Sequence, residues 1–264
     1  MSRPTCAIII STYNWPEALR LNLLAIMQQT IAPDEVIVAD DGSNVETGNM
    51  IDAFRVIFPC RLIHVWHEDE GWRKCTILNK AIAKCQCDYI IQLDQDIITD
   101  KHFVEDHLRN ARKGYYAQGS RAKIDMKLTE IICKRQFRSI SFATKGVYRK
   151  LNAIRMPLLT FFLRDIYKRK AKERGCNMAF WRSDLINING YDERMIGWGA
   201  EDTDLGSRLR KSGLKKQFLK FSAICFHIHH KQSKRDELAE ANSNIRRANE
   251  RNGIIRVPLG IDQW

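Results

Sequence analysis

The run DYIIQLDQD, residues 88–96, is apolar from Tyr89 to Leu93 apart from one glutamine, and it ends on two aspartates separated by a single residue. A strand that is apolar on both faces belongs inside a sheet covered on both sides. The segment before it, RKCTILNKAIAKC (73–85), places Ile77, Ala81 and Lys84 at helical spacing, so the two together predict a helix and then a buried strand. Toward the N-terminus the alternation repeats. CAIIIS (6–11), EVIVAD (35–40) and CRLIHVW (60–66) predict strands. PEALRLNLLAIMQQ (16–29), with proline in its first turn and Leu19, Leu23 and Ile26 on one face, and NMIDAFRVIF (49–58) predict helices. The expected fold class is therefore α/β, a mostly parallel central sheet flanked by helices, in which ligands sit at the carboxyl ends of the strands.

Those ends are where the polar residues collect: the first strand runs into STYN, the second into DDGS and the fourth into DQD. Asp94 and Asp96 alternate along a strand, so both carboxylates can face one way, toward a divalent cation or another ligand. The bland alternative is a cap for the next helix. Asp40 and Asp41 precede a glycine, where a carboxylate can accept from a nucleobase or a ribose hydroxyl; an Asp-Gly turn would account for Asp41 and Gly42 alone. In HEDEGWRKC, Arg73 and Lys74 stand near a helix N-terminus, the unfavourable end for a cation, which an anionic ligand such as a diphosphate would explain. The strand predicted over FLKFSAI (218–224) leads into CFHIHHK, where His227 and His229 share a face and His230 turns away unless the strand has ended. Imidazoles beside carboxylates suit manganese-type ions.

The 264 residues, 44% hydrophobic and 28% charged, suffice for one large α/β domain or two small ones. No apolar run approaches the roughly 20 residues of a membrane helix, and MSRPTCAIII lacks a signal-peptide layout. A cytoplasmic protein is expected. The eight cysteines, mostly single in apolar segments, read as reduced thiols, and Cys85 with Cys87 is a weak metal or redox signal. A formal charge of +12 points to nucleic acid, anionic lipid or a phosphorylated substrate without choosing among them. Part of that charge lies in residues 145–174, basic at both ends around the apolar MPLLTFFL, a layout that suits a membrane interface as well as an ordinary pair of solvated helices interrupted at Pro157. GCNMAFW predicts another strand, and residues 231–252 a polar surface helix.

In GWGAEDTDLGSRL (197–209) three carboxylates fall within four positions. Asp204 lies four residues before Arg208 and forms an ordinary helical pair. Glu201 and Asp202 stand in the first turn, where the helix dipole favours the ionised form and would keep a base available at neutral pH. The glycines on either side of Trp198 give the backbone freedom to turn there.

Taken in order, IIISTYNWPEALRLNLLAIMQQT, VIVADDGS, EDEGWRKCTILNKAI, DYIIQLDQD, GCNMAFWRSDLINING and GWGAEDTDLGSRL resemble a family 2 glycosyltransferase with the Rossmann-like GT-A fold, and the C-terminal part resembles the galactosyltransferase-type C-terminal region. The resemblance implies inverting, metal-dependent transfer of a sugar from a UDP-sugar or other nucleoside-diphosphate sugar to a hydroxyl of a glycan or lipid-linked glycan. It implies that Thr12, Tyr13, Asp40 and Asp41 hold the nucleoside, that Arg73 meets the diphosphate or sugar, and that Asp94 lies near the ribose or sugar. Asp96, with His227 or alternatively His230, would bind Mn2+ or Mg2+; Asp202 would be the catalytic base, with Glu201 and Trp198 on the acceptor or sugar. It divides the chain into a donor-binding part (1–114), an acceptor and catalytic part (115–230) containing the basic segment 145–174, and a helical tail (231–264). Lipopolysaccharide or surface polysaccharide synthesis on the inner face of the cytoplasmic membrane is the expected setting.

Two other classes compete on the residues alone. A basic nucleic-acid-binding protein would leave the acidic strand ends unexplained, so nucleic acid is not an expected partner. A nucleotidyltransferase would use a Gly-rich basic loop after the first strand, and STYNWPEA has none.

Overall fold

The computed structural model describes residues 3–134, 139–164, 173–230 and 237–264. Its first half follows the predicted alternation: β1 (Cys6–Thr12), α1 (Pro16–Met27), β2 (Glu35–Asp40), α2 (Val45–Arg55), β3 (Arg61–Trp66), α3 (Lys74–Lys84), β4 (Tyr89–Asp94). Then come β5 (Ile97–Thr99), α4 (Phe103–Arg109), β6 (Tyr115–Gly119), β7 (Ala122–Ile124), α5 (Met126–Lys134) and β8 (Val147–Tyr148). The chain continues with α6 (Pro157–Leu163), β9 (Met178–Trp181), α7 (Arg182–Asn187), α8 (Glu201–Lys211), β10 (Lys215–Leu219), β11 (Cys225–His227) and α9 (Glu237–Arg251).

The main sheet has seven strands in the order β10-β6-β9-β4-β1-β2-β3. Neighbours are parallel except β9, which runs antiparallel between β4 and β6. Every residue of β1 and β2 is buried. Alternate side chains pack into two separate apolar clusters: Ile8 and Ile10 with Val36 and Val38 on one face, Ala7 and Ile9 with Ile37 on the other. This two-sided burial explains why the strands read as continuous apolar runs. Register brings Ser11 opposite Asp94, and Thr12 opposite Asp40, so the polar ends of β1, β2 and β4 lie side by side.

A smaller four-stranded sheet, β5-β11-β7-β8, stands beyond the end of β4. It pairs His227 with Ile97, the residue after Asp96, and Ile228 N–H donates to the Asp96 carbonyl at 3.0 Å. Two distant segments are thereby clamped together.

Several boundaries differ from expectation. α1 ends at Met27 rather than residue 29, and α2 starts at Val45 and stops before the exposed Val56 and Ile57, so its window lies about four residues earlier than the 49–58 pattern. No strand runs through 218–224; β10 ends at Leu219, and Phe221 and Ala223 take left-handed conformations (φ 66° and 49°) that turn the chain toward β11. GCNMAFW opens with a 3-10 turn at Gly175–Asn177 before β9. Within 145–174 the structure has β8, a 3-10 turn at Lys150–Asn152 and the short helix α6 beginning at Pro157, and residues 165–172 lie outside the described ones. Of the predicted tail helix, 231–236 lie outside them too, and α9 covers Glu237–Arg251.

α8 and α9 are joined by buried polar contacts. Asp204 Oδ2 accepts from Arg208 Nε at 2.6 Å, and Asp204 Oδ1 from Asn249 Nδ2 at 3.0 Å; Asn249 also reaches Asp192. Asp204 and Arg208 are both about 1% exposed, so removing one partner strands the other charge. Asp204→Ala is expected to cost about 3–5 kcal/mol of unfolding free energy, measured by denaturant titration, whereas a loss under about 1 kcal/mol would show that water or neighbours replace the pair.

Candidate active site

The three strand ends are tied together by their own side chains. Thr12 Oγ1 donates to Gln95 Oε1, which also accepts from Tyr13 N–H at 3.1 Å, while Gln95 Nε2 returns a bond to Tyr13 O at 3.2 Å. Tyr13 is half-exposed, its hydroxyl on Asp69 at 2.8 Å. Asp40 is fully buried and accepts from Ser43 N–H (2.9 Å) and from His64 (2.8 Å). Asp41 accepts from Arg73 N–H (2.9 Å) and from His67 (2.8 Å). Both oxygens of each aspartate are thus engaged within the protein, and what they hold is the shape of the DDGS and EGWRK loops. The Arg73 side chain pairs with Glu70 near the surface.

Sequence reasoning placed Lys74 only as a cation at the wrong end of a helix. In the structure its ammonium reaches inward to Asp94 Oδ1 at 2.7 Å, where Ser11 Oγ also donates at 3.0 Å. Burial works against the Lys74 charge, but Asp94, Asp202 and Glu201 outweigh it and raise its pKa well above the ordinary lysine value. Burial likewise opposes charge on Asp94, and Lys74 overcomes it, lowering the carboxyl pKa. The ion pair is the electrostatic centre of the crevice. The cue in the sequence was the dipole mismatch at the start of α3.

Asp96 has a different company. Its Oδ2 lies 3.1 Å from His227 Nε2 and 3.0 Å from His230 Nε2, and one ligand atom from each of the three residues falls within 4.8 Å of the others. The strand ends at His227, so His230 can swing back to the same point. Asp96 Oδ1 is buried and has no hydrogen-bond partner among the described residues. One carboxylate, two imidazoles and an unsatisfied buried oxygen fit a divalent cation such as Mn2+. Both histidines, offered as alternatives by the sequence, stand in the cluster. Burial holds the His227 pKa below its usual value, keeping the ring neutral as a ligand requires.

Across the crevice, Gly197 and Gly199 have positive φ (80° and 109°) and Ala200 is left-handed (φ 70°), turning the chain sharply into α8. Trp198 stands half-exposed there, and Gly197 N–H donates to Trp72 O at 2.9 Å, which ties a second half-exposed tryptophan to the same wall. Trp72 was visible in EGWRK but had no assigned role. Glu201 accepts from Gly199 N–H at 3.1 Å. Asp202 Oδ2 accepts from Gly175 N–H at 2.6 Å, and its Oδ1 is buried without a partner among the described residues. A Cβ at residue 175 would lie 2.6 Å from Asp202 Oδ1 and 2.7 Å from Gln92 Nε2, so any larger residue there would displace these side chains.

The helix dipole does not keep Asp202 ionised, as its place in the first turn had suggested. Its pKa is raised to about 7, first by burial and then by Glu201, with Asp94 adding to them against Lys74. A helix N-terminus contributes roughly 0.3–1 kcal/mol toward ionisation, too little against the loss of water and two like charges. The result is a carboxyl that gains and loses its proton near neutrality, a useful range for a general base.

The family model described as Glycosyl transferase family 2 matches residues 7–170, and that described as N-terminal domain of galactosyltransferase matches residues 160–231. Validoxylamine A glucosyltransferase from Streptomyces hygroscopicus subsp. limoneus is 25% identical over 235 residues, 80% of this chain and 49% of that protein. The chain thus spans about half the length of that relative. The O-antigen chain rhamnosyltransferase RfbN of Salmonella typhimurium is 26% identical over 241 residues, 84% of this chain and 66% of that one. Among solved structures, the mannosyltransferase PcManGT from Pyrobaculum calidifontis, in complex with GDP-Man and Mn2+, has a TM-score of 0.58 at 19% identity over 94% of this chain and 62% of its own, a likeness of fold.

Because the Asp202 pKa is raised on folding, the native state binds more protons than the unfolded chain between about pH 4 and 7, and stability falls as pH rises through that window. Asp202→Asn keeps an oxygen for Gly175 N–H and removes the titration. Its thermal midpoint should exceed that of the wild type at pH 8 by at least roughly 2 °C, with the gap shrinking as pH falls and closing near pH 4; a gap independent of pH would rule out the raised pKa.

Proposed function

The chain belongs to glycosyl transferase family 2, with the GT-A fold, and on that premise we propose that it transfers a sugar from a nucleoside-diphosphate donor to a hydroxyl of a glycan acceptor with inversion at the anomeric carbon. The observation that carries this reading is a pair of buried carboxylate oxygens without a partner among the described residues, Asp96 Oδ1 in the cluster with two histidines and Asp202 Oδ1 in the first turn of α8 beside Gly175. One is suited to a cation, the other to a proton.

In this mechanism Asp202 accepts the proton of the attacking hydroxyl through Oδ1 while Gly175 N–H fixes Oδ2. The new bond forms on the face of the anomeric carbon opposite the departing diphosphate, which converts an α-linked donor into a β-linked product. Asp96, His227 and His230 would hold the divalent cation, which when bound neutralises charge developing on the leaving diphosphate. Lys74 keeps Asp94 ionised, placing that carboxylate where a ribose or sugar hydroxyl can donate to it. The exposed ring of Tyr13 and the loop held by Thr12, Asp40 and Asp41 face the nucleoside; Trp198 and Trp72 offer apolar faces to the sugars, and Glu201 a carboxylate to their hydroxyls. Arg73, near the surface with Glu70, is free to reorient toward the diphosphate or sugar. PcManGT binds GDP-Man with Mn2+, which supports a nucleotide sugar as donor and manganese as the ion.

The relative RfbN is named for O-antigen chains, which supports surface polysaccharide or lipopolysaccharide as the product; a lipid-linked acceptor at the inner face of the cytoplasmic membrane is part of the proposal. No helix among the described residues is long and apolar enough to cross a membrane. A peripheral contact has a candidate surface, however: Leu151, Leu158, Phe161 and Phe162 are 67%, 81%, 58% and 69% exposed in a segment rich in Lys and Arg.

A panel of nucleotide sugars with Mn2+, scored by thermal stabilisation and hydrolysis, tests the donor class. Asp202→Asn is expected to keep donor affinity and lose transfer by about 10²–10⁴-fold, whereas Asp96→Ala should lose Mn2+-dependent donor binding; equal loss of affinity in both would refute the division of roles. Co-sedimentation with anionic liposomes at physiological salt should recover the wild type and fail for Phe161→Ser with Phe162→Ser. Equal recovery of both proteins would discount this surface.

A further inference from the structure

A cavity of about 510 Å³ adjoins the metal-type cluster, walled by the 227–230 segment, Lys123, Met126 and Tyr148. The pairing of β7 with β8 sets Lys123 opposite Tyr148, and Arg149, in a left-handed conformation (φ 56°), follows at once. Lys123 lies within electrostatic reach of three guanidinium groups: burial, Arg121, Arg149 and Arg174 all push its pKa below the ordinary lysine value. Burial, Arg121 and Arg149 do the same to Arg174. Arg121 donates to Cys176 Sγ at 2.9 Å. Among the described residues, no carboxylate pairs with any of the four. The nearest acid in sequence, Asp125, instead caps Leu128 N–H at 2.8 Å.

Asp94 lies within electrostatic reach of Arg121, which leaves Lys123, Arg149 and Arg174 gathered with no paired carboxylate among the described residues, more positive charge than the proposed donor answers. A donor diphosphate and Asp96 carry three negative charges between them, and a divalent cation answers two. Asp94 is already matched by Lys74. The donor engages about one basic side chain on this count, and part of the basic cluster is left over. Arg174 directly precedes Gly175, whose N–H holds the Asp202 carboxylate, so the basic cluster extends from the metal-type residues toward the base. An anion bound there would sit on the acceptor side of the reacting centre.

We propose that this basic wall receives a phosphate group carried by the acceptor, close to the hydroxyl that is glycosylated. The proposal rests on the sugar-transfer reading above. Lys123 offers a point charge and the arginines planar forks, the two ways in which proteins hold phosphate. Met126 and Tyr148, 58% and 43% exposed, give the same cavity an apolar rim for the rest of the acceptor. The phosphate could belong to a soluble phosphorylated glycan or to the headgroup of a lipid-linked one.

The test uses the full chain saturated with UDP and Mn2+, titrated by calorimetry with glucose 1-phosphate and with glucose, alongside co-sedimentation with phosphatidylcholine vesicles with and without phosphatidic acid. The comparison protein carries Lys123→Gln and Arg149→Gln, surface changes whose folding is verified by thermal midpoint. Wild type is expected to prefer glucose 1-phosphate to glucose by about tenfold or more, or to bind phosphatidic acid vesicles over plain ones, with the preference lost in the variant and UDP affinity unchanged. A soluble preference identifies a phosphorylated glycan, and a vesicle preference alone identifies a lipid headgroup. The proposal is overturned if the variant loses UDP affinity as much as it loses the phosphate preference, since the cations would then serve the donor, or if wild type shows neither preference. Failure of wild type to bind any nucleoside diphosphate with Mn2+ would instead bring down the sugar-transfer reading, and this proposal with it.

Discussion

A parallel sheet packed on both faces leaves its strands no place for a charge except at their ends, and at the carboxyl ends this constraint shapes the whole crevice. β1, β2 and β4 contribute apolar residues to two cores along their length. Their polar residues then crowd together where the strands stop, and crowded carboxylates repel. The Lys74–Asp94 pair resolves the conflict at the centre by burying one cation among Asp94, Asp202 and Glu201. Remove that cation and three acids would face one another in a site partly closed to water.

The remaining acids divide according to their neighbours. Asp96 lies beside imidazoles brought over by the small sheet, a ready-made ligand set. Asp202 has a backbone N–H on one oxygen and no cation in contact, so burial and like charges dominate and its proton affinity rises. Asp96, just after β4, and Asp202, in the first turn of α8, thus stand in opposite electrostatic surroundings. Chemically this is the arrangement that glycosyl transfer asks for, with positive charge near the leaving group and a proton acceptor on the other side of the sugar.

Much of this was legible in the sequence. Continuous β-branched runs such as CAIII and VIVAD can only be buried strands, and the acids ending them mark the crevice. His227 and His230 were legible as candidates because three histidines in four positions are hard to explain otherwise. What was hidden depends on tertiary approach. That Asp40 and Asp41 have both oxygens engaged follows from His64 and His67, more than twenty residues away, and from the Arg73 backbone. The inward turn of Lys74 needed β4 in place beside α3. The raised pKa of Asp202 was misjudged because a helix terminus is visible in a sequence and the burial of its first turn is not. The turn at 220–224 was missed for a related reason: Phe221 and Ala223 give no hint of left-handed backbone.

The account turns on Asp202 as a carboxyl poised near neutrality, and its titration can be followed directly by ¹³C NMR of side-chain-labelled aspartate, with Asp202→Asn to assign the resonance. In the metal-free protein a midpoint near 7 is expected, moving higher when Lys74 is replaced by glutamine and the opposing cation is lost. A midpoint near 4, unmoved by that replacement, would contradict the central claim.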